Sequence, residues 1–351
     1  MAGFSLRLGT LRPLLLSFES STRNICIVQS AGSATTSQIP NKIDETYVEF
    51  SKVDIETLFL SKRTQVLLQQ LTCTNIKRVF VPRKKEHTPP QYELLTDEQY
   101  QKEVKKAICK AKKLTQMPPV LRMRKPCERV LQKDPELQGL NTSKFIFTDI
   151  SFGYDETMRP IVVRETDGTL RTASWGERER MMQIYFTNPH REMETPAMFK
   201  EPYLSNILSS EKYIFVLDRA CIQFEPNSEE YLGVTQRVFE HLKGTLKFDM
   251  LRSTRHFGPM CFYYAVTQQC DPLMLEMLTC GRLQSASMLV KLLHEIHPDL
   301  KSVKEVHENG TPEEYVEAYI KWESQKKPAL GLALQSCREL KKAEHSETEL
   351  T

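Results

Sequence analysis

The chain has 351 residues and a mass of 40.7 kDa, with 40% hydrophobic and 26% charged residues and a formal net charge of +3. That length suffices for a sizeable core and about two domains, and the composition excludes disordered and collagen-like classes. No apolar run approaches the roughly 18 residues of a membrane span, and the nine cysteines never form a C-x-x-C pair, which reads as free thiols in a reducing compartment rather than a disulfide framework or a zinc site.

Residues 1–40 hold Arg7, Arg12 and Arg23 against one acid, Glu19. Phe4, Leu8, Leu11, Leu15 and Phe18 share a helical face, and the stretch is rich in serine. This is the make-up of a mitochondrial presequence, expected over residues 1–37 with cleavage between 22 and 37. The rival is a secretory signal, whose apolar stretch here, PLLLSF, is short and interrupted by Pro13.

An N-terminal segment is expected over 41–135. Ser51 and Asp54 signal the start of one helix through SKVDIETLFLSKRTQVLLQQL. CTNIKRVFVPRKKEHTPPQYELL turns extended, because Pro82, Pro89 and Pro90 exclude a helix, and it displays Arg83, Lys84 and Lys85. Thr96 followed by Gln99 is a capping box opening a second helix through TDEQYQKEVKKAICKAKKL. On it, Tyr100, Val104, Ala107, Ile108, Ala111 and Leu114 fall within about 120° of arc. Lys102, Lys105, Lys106, Lys110, Lys112 and Lys113 occupy the other side. QMPPVLRMRKPCERVLQK follows as a proline-broken strap with Arg122, Arg124, Lys125 and Arg129. Residues 77–133 hold 16 Lys/Arg against 6 Asp/Glu, which leaves the rest of the chain net acidic. A charged helix face is often merely solvated; helix and strap together form the pattern of a protein that follows a phosphate backbone without reading bases.

A small antiparallel sheet with a capped helix is expected over 140–192. KFIFTDIS reads as a strand, and IVVRETDGTLRT as a hairpin turned at Asp167-Gly168. A two-residue loop pairs Thr166 with Thr169 and places Arg164 opposite Arg171, where like charges repel. Either an anion bridges the two guanidiniums, or they splay into water or find glutamates. Ser174 with Glu177 is a capping box for the next helix.

From 195 to 345 the apolar spacing is helical throughout: EPYLSNILSSEKYIFVLDRACIQFEP, SEEYLGVTQRVFEHLKG, DPLMLEMLTCGRLQSASMLVKLLHEIHPD and, after the cap Thr311-Pro312-Glu313-Glu314, EEYVEAYIKWESQKK, with Pro328 ending that helix. No constant repeat appears. The fold class is therefore mostly α with a small antiparallel β element (α+β), an irregular helical array plus a β-hairpin module. In FDMLRSTRHFGPMCFYY, Arg252, Arg255 and His256 could meet RNA with the aromatics stacking, although aromatics so spaced more often form core. No phosphate cradle, nucleophile elbow or H-E-x-x-H occurs. His294-Glu-Ile-His297 at a helix end reads as a surface pair rather than a metal site, so neither metal nor cofactor is expected.

FTDISFGYDETMRPIVVRETDGTLRTASWGERERMMQIYF, with MPPVL (Met117–Leu121), FEP (Phe224–Pro226) and DMLRSTR (Asp249–Arg255), resembles the mitochondrial small-subunit ribosomal protein family numbered twenty-two, over roughly residues 50–300. The loop GYDETMRP departs from the family pattern, which is more basic or polar there. The resemblance implies a non-catalytic, mitochondrion-specific ribosomal protein of the matrix, contacting small-subunit rRNA and neighbouring ribosomal proteins. The alternative reading is a mitochondrial RNA-binding processing or stability factor outside the ribosome; a matrix enzyme with a scattered site is a third.

Overall fold

The computed structural model describes residues 25–29, 54–81, 92–139, 142–153, 158–307 and 310–348; at 25–29 and 341–348 it describes the backbone alone. The remainder of the expected presequence, the Ser51 helix signal, and the triplet Arg83, Lys84 and Lys85 lie outside the described residues. In chain order come β1 (Ile25–Gln29), α1 (Ile55–Leu60), α2 (Lys62–Thr72), α3 (Ile76–Val79), α4 (Asp97–Leu114) and β2 (Val130–Lys133). Next are β3 (Phe145–Asp149), β4 (Ile161–Arg164), β5 (Thr169–Thr172), α5 (Trp175–Tyr185), α6 (Tyr203–Ser209), α7 (Tyr213–Gln223) and α8 (Glu229–Thr245). The chain closes with α9 (Phe257–Val266), α10 (Asp271–Thr279), α11 (Leu283–Ile296), α12 (Lys301–Glu305), α13 (Pro312–Trp322) and α14 (Lys327–Thr348). This is the α+β class expected.

Two compact units result: residues 1–37 with 126–188, and residues 38–125 with 189–351. The segment up to Lys125 thus joins the helical unit instead of standing apart from it. The cause is α2, whose buried side (Thr64, Leu68, Leu71 and Thr72) packs on α9 and α11.

The smaller unit is an antiparallel sheet in the order β1-β3-β4-β5-β2 with α5 on one face. Ile146, Ile161, Val163, Ala173 and Met181 form its core, with Met182 and Tyr185 packed against it. The β3 strand and the hairpin are where the alternation of apolar residues puts them. Strands β1 and β2 are edge strands, and β1 lies inside the stretch expected to be removed as a presequence. The hairpin register differs from expectation. Glu165 N–H donates to Thr169 O at 2.9 Å and Gly168 N–H to Glu165 O at 3.1 Å, so the loop holds three residues, Thr166, Asp167 and Gly168. The pairs are then Arg164 with Leu170 and Val163 with Arg171. A shift of one residue sends the two arginines to opposite faces.

Gly168 makes that loop possible. Its φ is +82°, and a Cβ there would lie 2.0 Å from the Asp134 carbonyl oxygen, a backbone atom that cannot step aside. Gly168→Ala is expected to lower the stability of this unit by about 3 kcal/mol. In a Trp322→Phe background Trp175 is the remaining tryptophan, and an unchanged urea midpoint of its fluorescence would contradict the expectation.

In the larger unit α9 is buried on every side: Phe257, Gly258, Pro259, Met260, Cys261, Phe262, Tyr264 and Ala265. A helix with no wet face shows no amphipathic period, which is why this segment reads ambiguously from sequence. Phe59 of α1 meets Phe262 edge-on, with ring centroids 5.1 Å apart. Several expected helices are broken. Ser61 separates α1 from α2, its side chain accepting from Thr64 N–H at 3.2 Å. Glu211, at φ +60°, separates α6 from α7, and Gly281, at φ +71°, separates α10 from α11. Pro328 stands in the first turn of α14, so it opens the last helix rather than closing the one before. Asp271 ties these C-terminal elements together, accepting from Tyr319 Oη at 2.6 Å and from the backbone N–H groups of Gln325 and Lys326 at 2.9 and 3.2 Å.

Candidate nucleic-acid interface

Thr96 and Gln99 close the capping box of α4 reciprocally, with Asp97 and Glu98 in the first turn and Lys112 and Lys113 in the last, each charge set at the pole of the helix dipole that favours it. Ala111 is the one buried residue of this helix. Lys102, Lys105, Lys106, Lys110, Lys112 and Lys113 are all exposed. Lys106 pairs with Glu103 at 2.6 Å on the surface, a contact that salt and solvent keep weak. Lys110 lies over the Phe80 ring at 5.8 Å, which brings the end of α3 beside α4.

The strap that follows is pinned through its backbone and apolar side chains. Met117 and Val120 pack against the main core. Gly258 of α9 leaves room for Met117, since a Cβ there would lie 2.1 Å from its Sδ. Arg122 N–H donates to Glu56 Oε1 at 3.1 Å, and Arg124 N–H donates to Asn227 O at 3.0 Å. Arg122 and Lys125 are exposed while Arg124 is half-buried. The result is a run of cations carried on an anchored main chain, which can follow phosphates without a large ordering cost on contact. Arg129 belongs to the smaller unit: its N–H donates to Thr172 Oγ1 at 2.7 Å, and the residue is exposed.

The hairpin arginines part company. Arg171, on the helix-facing side beside Val163, is 16% exposed and bonds Glu165 at 2.6 Å and Glu177 at 2.9 Å. Burial would raise the Glu177 carboxyl, but hydrogen bonds from Arg171, Lys144 and the Ser174 N–H override it and hold the group down at about 2. The Arg171 guanidinium is correspondingly held above its ordinary value, with the Glu177 hydrogen bond as the largest cause. Of the two readings left open by the sequence, Arg171 finds glutamates, Glu165 and Glu177, and does not face Arg164. Arg164, on the other face, donates from Nη1 to the Gly168 carbonyl at 3.1 Å and is half-buried.

Arg252 is also removed from any surface role. It is 4% exposed, bonds Asp249 at 3.2 Å and Glu276 at 3.1 Å, and sits over the Phe257 ring at 4.7 Å. Arg78 and Arg282 join the same cluster through Asp249, at 3.0 and 3.1 Å. Arg255 bonds Asp218 at 2.8 Å, as does His256 at 2.9 Å. Phe257, Phe262 and Tyr264 are buried, so the aromatic run is core. His294 meets Ser302 Oγ at 2.9 Å, and His297 Nε2 lies 3.1 Å from the Ala265 carbonyl, both holding helix ends in place. Lys77 was absent from the expected site, yet it is exposed on α3 beside α4. Its place in the basic stretch 77–133 was the available signal.

The family model for mitochondrial 28S ribosomal protein S22 matches residues 57–298. Small ribosomal subunit protein mS22 of Bos taurus is 38% identical over 282 residues, covering 80% of this chain and 79% of that protein. The Mus musculus protein of the same name is 37% identical over 283 residues, covering 80% and 79%. The matched span takes in α4, the strap, the hairpin with α5, and the helical core through α11. The chain belongs to the mitochondrial 28S ribosomal protein S22 family.

Proposed function

We propose that this chain is a structural component of the mitochondrial small ribosomal subunit, with α4 and the strap lying along rRNA phosphates and the remaining surface meeting neighbouring ribosomal proteins. Family membership carries the ribosomal role and the mitochondrial location. The observation that supports the RNA-facing assignment is the row of exposed lysines on a well-capped helix, continued by Arg122 and Lys125 on a strap anchored to the core. Arg129, Arg164 and Lys77 are auxiliary contacts in this reading; Arg171, Arg252 and Arg255 serve folding through their carboxylate partners. No helix among the described residues is long and apolar enough to cross a membrane.

The competing assignment, an RNA processing or stability factor outside the ribosome, predicts a different sedimentation. Through a salt-washed gradient of mitochondrial lysate the chain is expected to co-migrate with the small subunit. Recovery in light complexes that RNase disperses would favour the competitor. Removal of a presequence by the matrix peptidase, with cleavage between residues 22 and 37, belongs to the same reading, and N-terminal sequencing of the chain recovered from the subunit checks it.

A further inference from the structure

The apolar stripe of α4 is covered at Ala111, while Tyr100, Ile108 and Leu114 on either side of it are left open. Ala111 is buried, whereas Tyr100 is 57% exposed and Ile108 is 40% exposed, with Val104 half-buried between them. These three are spaced by four residues, so they stack in one row about 12 Å long. Ahead of the cap, Leu94 and Leu95 add further open apolar surface. Large side chains aligned on a well-formed helix and left open to water mark an interaction surface rather than scattered exposure. At about 100° per residue Lys105 and Lys112 line one edge of the row and Glu103 and Lys110 the other, whereas Lys102, Lys106 and Lys113 fall on the opposite side.

We propose that the Tyr100–Val104–Ile108 row docks a neighbouring protein of the small ribosomal subunit that presents an apolar ridge rimmed by Asp or Glu, whose carboxylates meet Lys105 and Lys112. This goes beyond the RNA assignment and rests only on membership of the subunit. Charge chooses the occupant. The helix holds six lysines against Asp97, Glu98 and Glu103, so a second copy would bring a like excess of positive charge, and a carboxylate-rimmed surface removes it. Phosphate is drawn to the ammonium groups, not to tyrosine and isoleucine side chains in a row. Helix α4 is therefore two-sided: Lys102, Lys106 and Lys113 address rRNA while the Tyr100 row addresses protein. Such a helix is held between a nucleic acid and a protein, which suits a chain that stitches one to the other.

The test uses the full chain in small subunits purified from mitochondria. A photoreactive benzoylphenylalanine replacing Tyr100 or Ile108 is expected to cross-link to one discrete ribosomal protein, at a peptide with Asp or Glu close to the linked residue. The same probe replacing Lys106 or Lys113 is expected to cross-link to rRNA. The paired substitution Tyr100→Asp with Ile108→Asp should lower incorporation about tenfold, with helical circular dichroism unchanged because both side chains are exposed; Tyr100→Phe with Ile108→Val should leave incorporation intact. Cross-links from position 100 or 108 to rRNA, to a second copy or to nothing would each overturn the proposal, as would a linked peptide that is basic. Protein cross-links at 100 with no rRNA cross-links at 106 or 113 would sink the RNA-facing assignment and leave this one standing.

Discussion

Replacing Lys102, Lys106 and Lys113 together by glutamine is expected to weaken binding of the purified chain to deproteinised small-subunit rRNA by at least about tenfold at 0.15 M salt. Each phosphate neutralised releases condensed counterions, so the slope of log K against log salt should also fall in magnitude by about 2. The slope is the diagnostic readout. A variant that merely misfolded would lose binding in other ways, and glutamine has nearly the helix propensity of lysine, so α4 should persist. All three side chains are exposed, and none contributes to the core. An unaltered slope would mean that these ammonium groups face only water, and the helix would revert to a solvated charged surface.

Arg171→Met should destabilise the sheet unit by about 2 kcal/mol at neutral pH, because two poorly exposed carboxylates lose their shared partner while Lys144 still holds Glu177 at 2.6 Å. The pH dependence gives the sharper test. In the folded chain Glu177 is depressed to about 2 from an ordinary 4.5, despite the burial that opposes this, by Arg171, Lys144 and the Ser174 N–H. A depressed carboxylate stabilises the fold fully above its unfolded value, and that contribution disappears as the pH falls through its folded value. For Glu177 the loss runs from about pH 4.5 down to about 2 and amounts to about 3 kcal/mol. The unsubstituted chain should therefore lose stability steeply across that window. The Arg171→Met variant should show a shallower slope, and the two should converge at the acid end. Parallel curves, followed through Trp175 with Trp322 replaced by phenylalanine, would show that Arg171 does not set the charge state of Glu177.

The elements legible from sequence were those whose determinants sit within a few residues of one another. The capping boxes at Thr96, Ser174 and Thr311 each couple a side-chain oxygen to a backbone N–H three residues on, and all three helices begin where that spacing puts them. The lysine side of α4 was legible for the same reason, since helical periodicity separates it from Tyr100 and Ile108 without reference to any other element. Less legible was the hairpin. Its turn residues were recognised, but a third loop residue moved the register by one, and Arg164 and Arg171 moved to opposite faces of the sheet.

What distant residues contribute was not visible at all. Arg171 and Arg164 look alike in IVVRETDGTLRT, and it is the register that turns only Arg171 to the face where Glu165 and Glu177 meet it. Arg252 and Arg122 are both arginines in basic surroundings, but Glu276 and the Phe257 ring enclose the former, while the latter lies on an exposed strap. The sequence by itself determined the α+β class, the three helix starts marked by capping boxes and the concentration of positive charge between residues 77 and 133, because each follows from local chemistry. Tertiary structure alone decided which cations outside that stretch are withdrawn from the surface, as with Arg252, because such a guanidinium is taken out of binding when a carboxylate such as Glu276 folds up against it, and sequence spacing carries no record of that encounter.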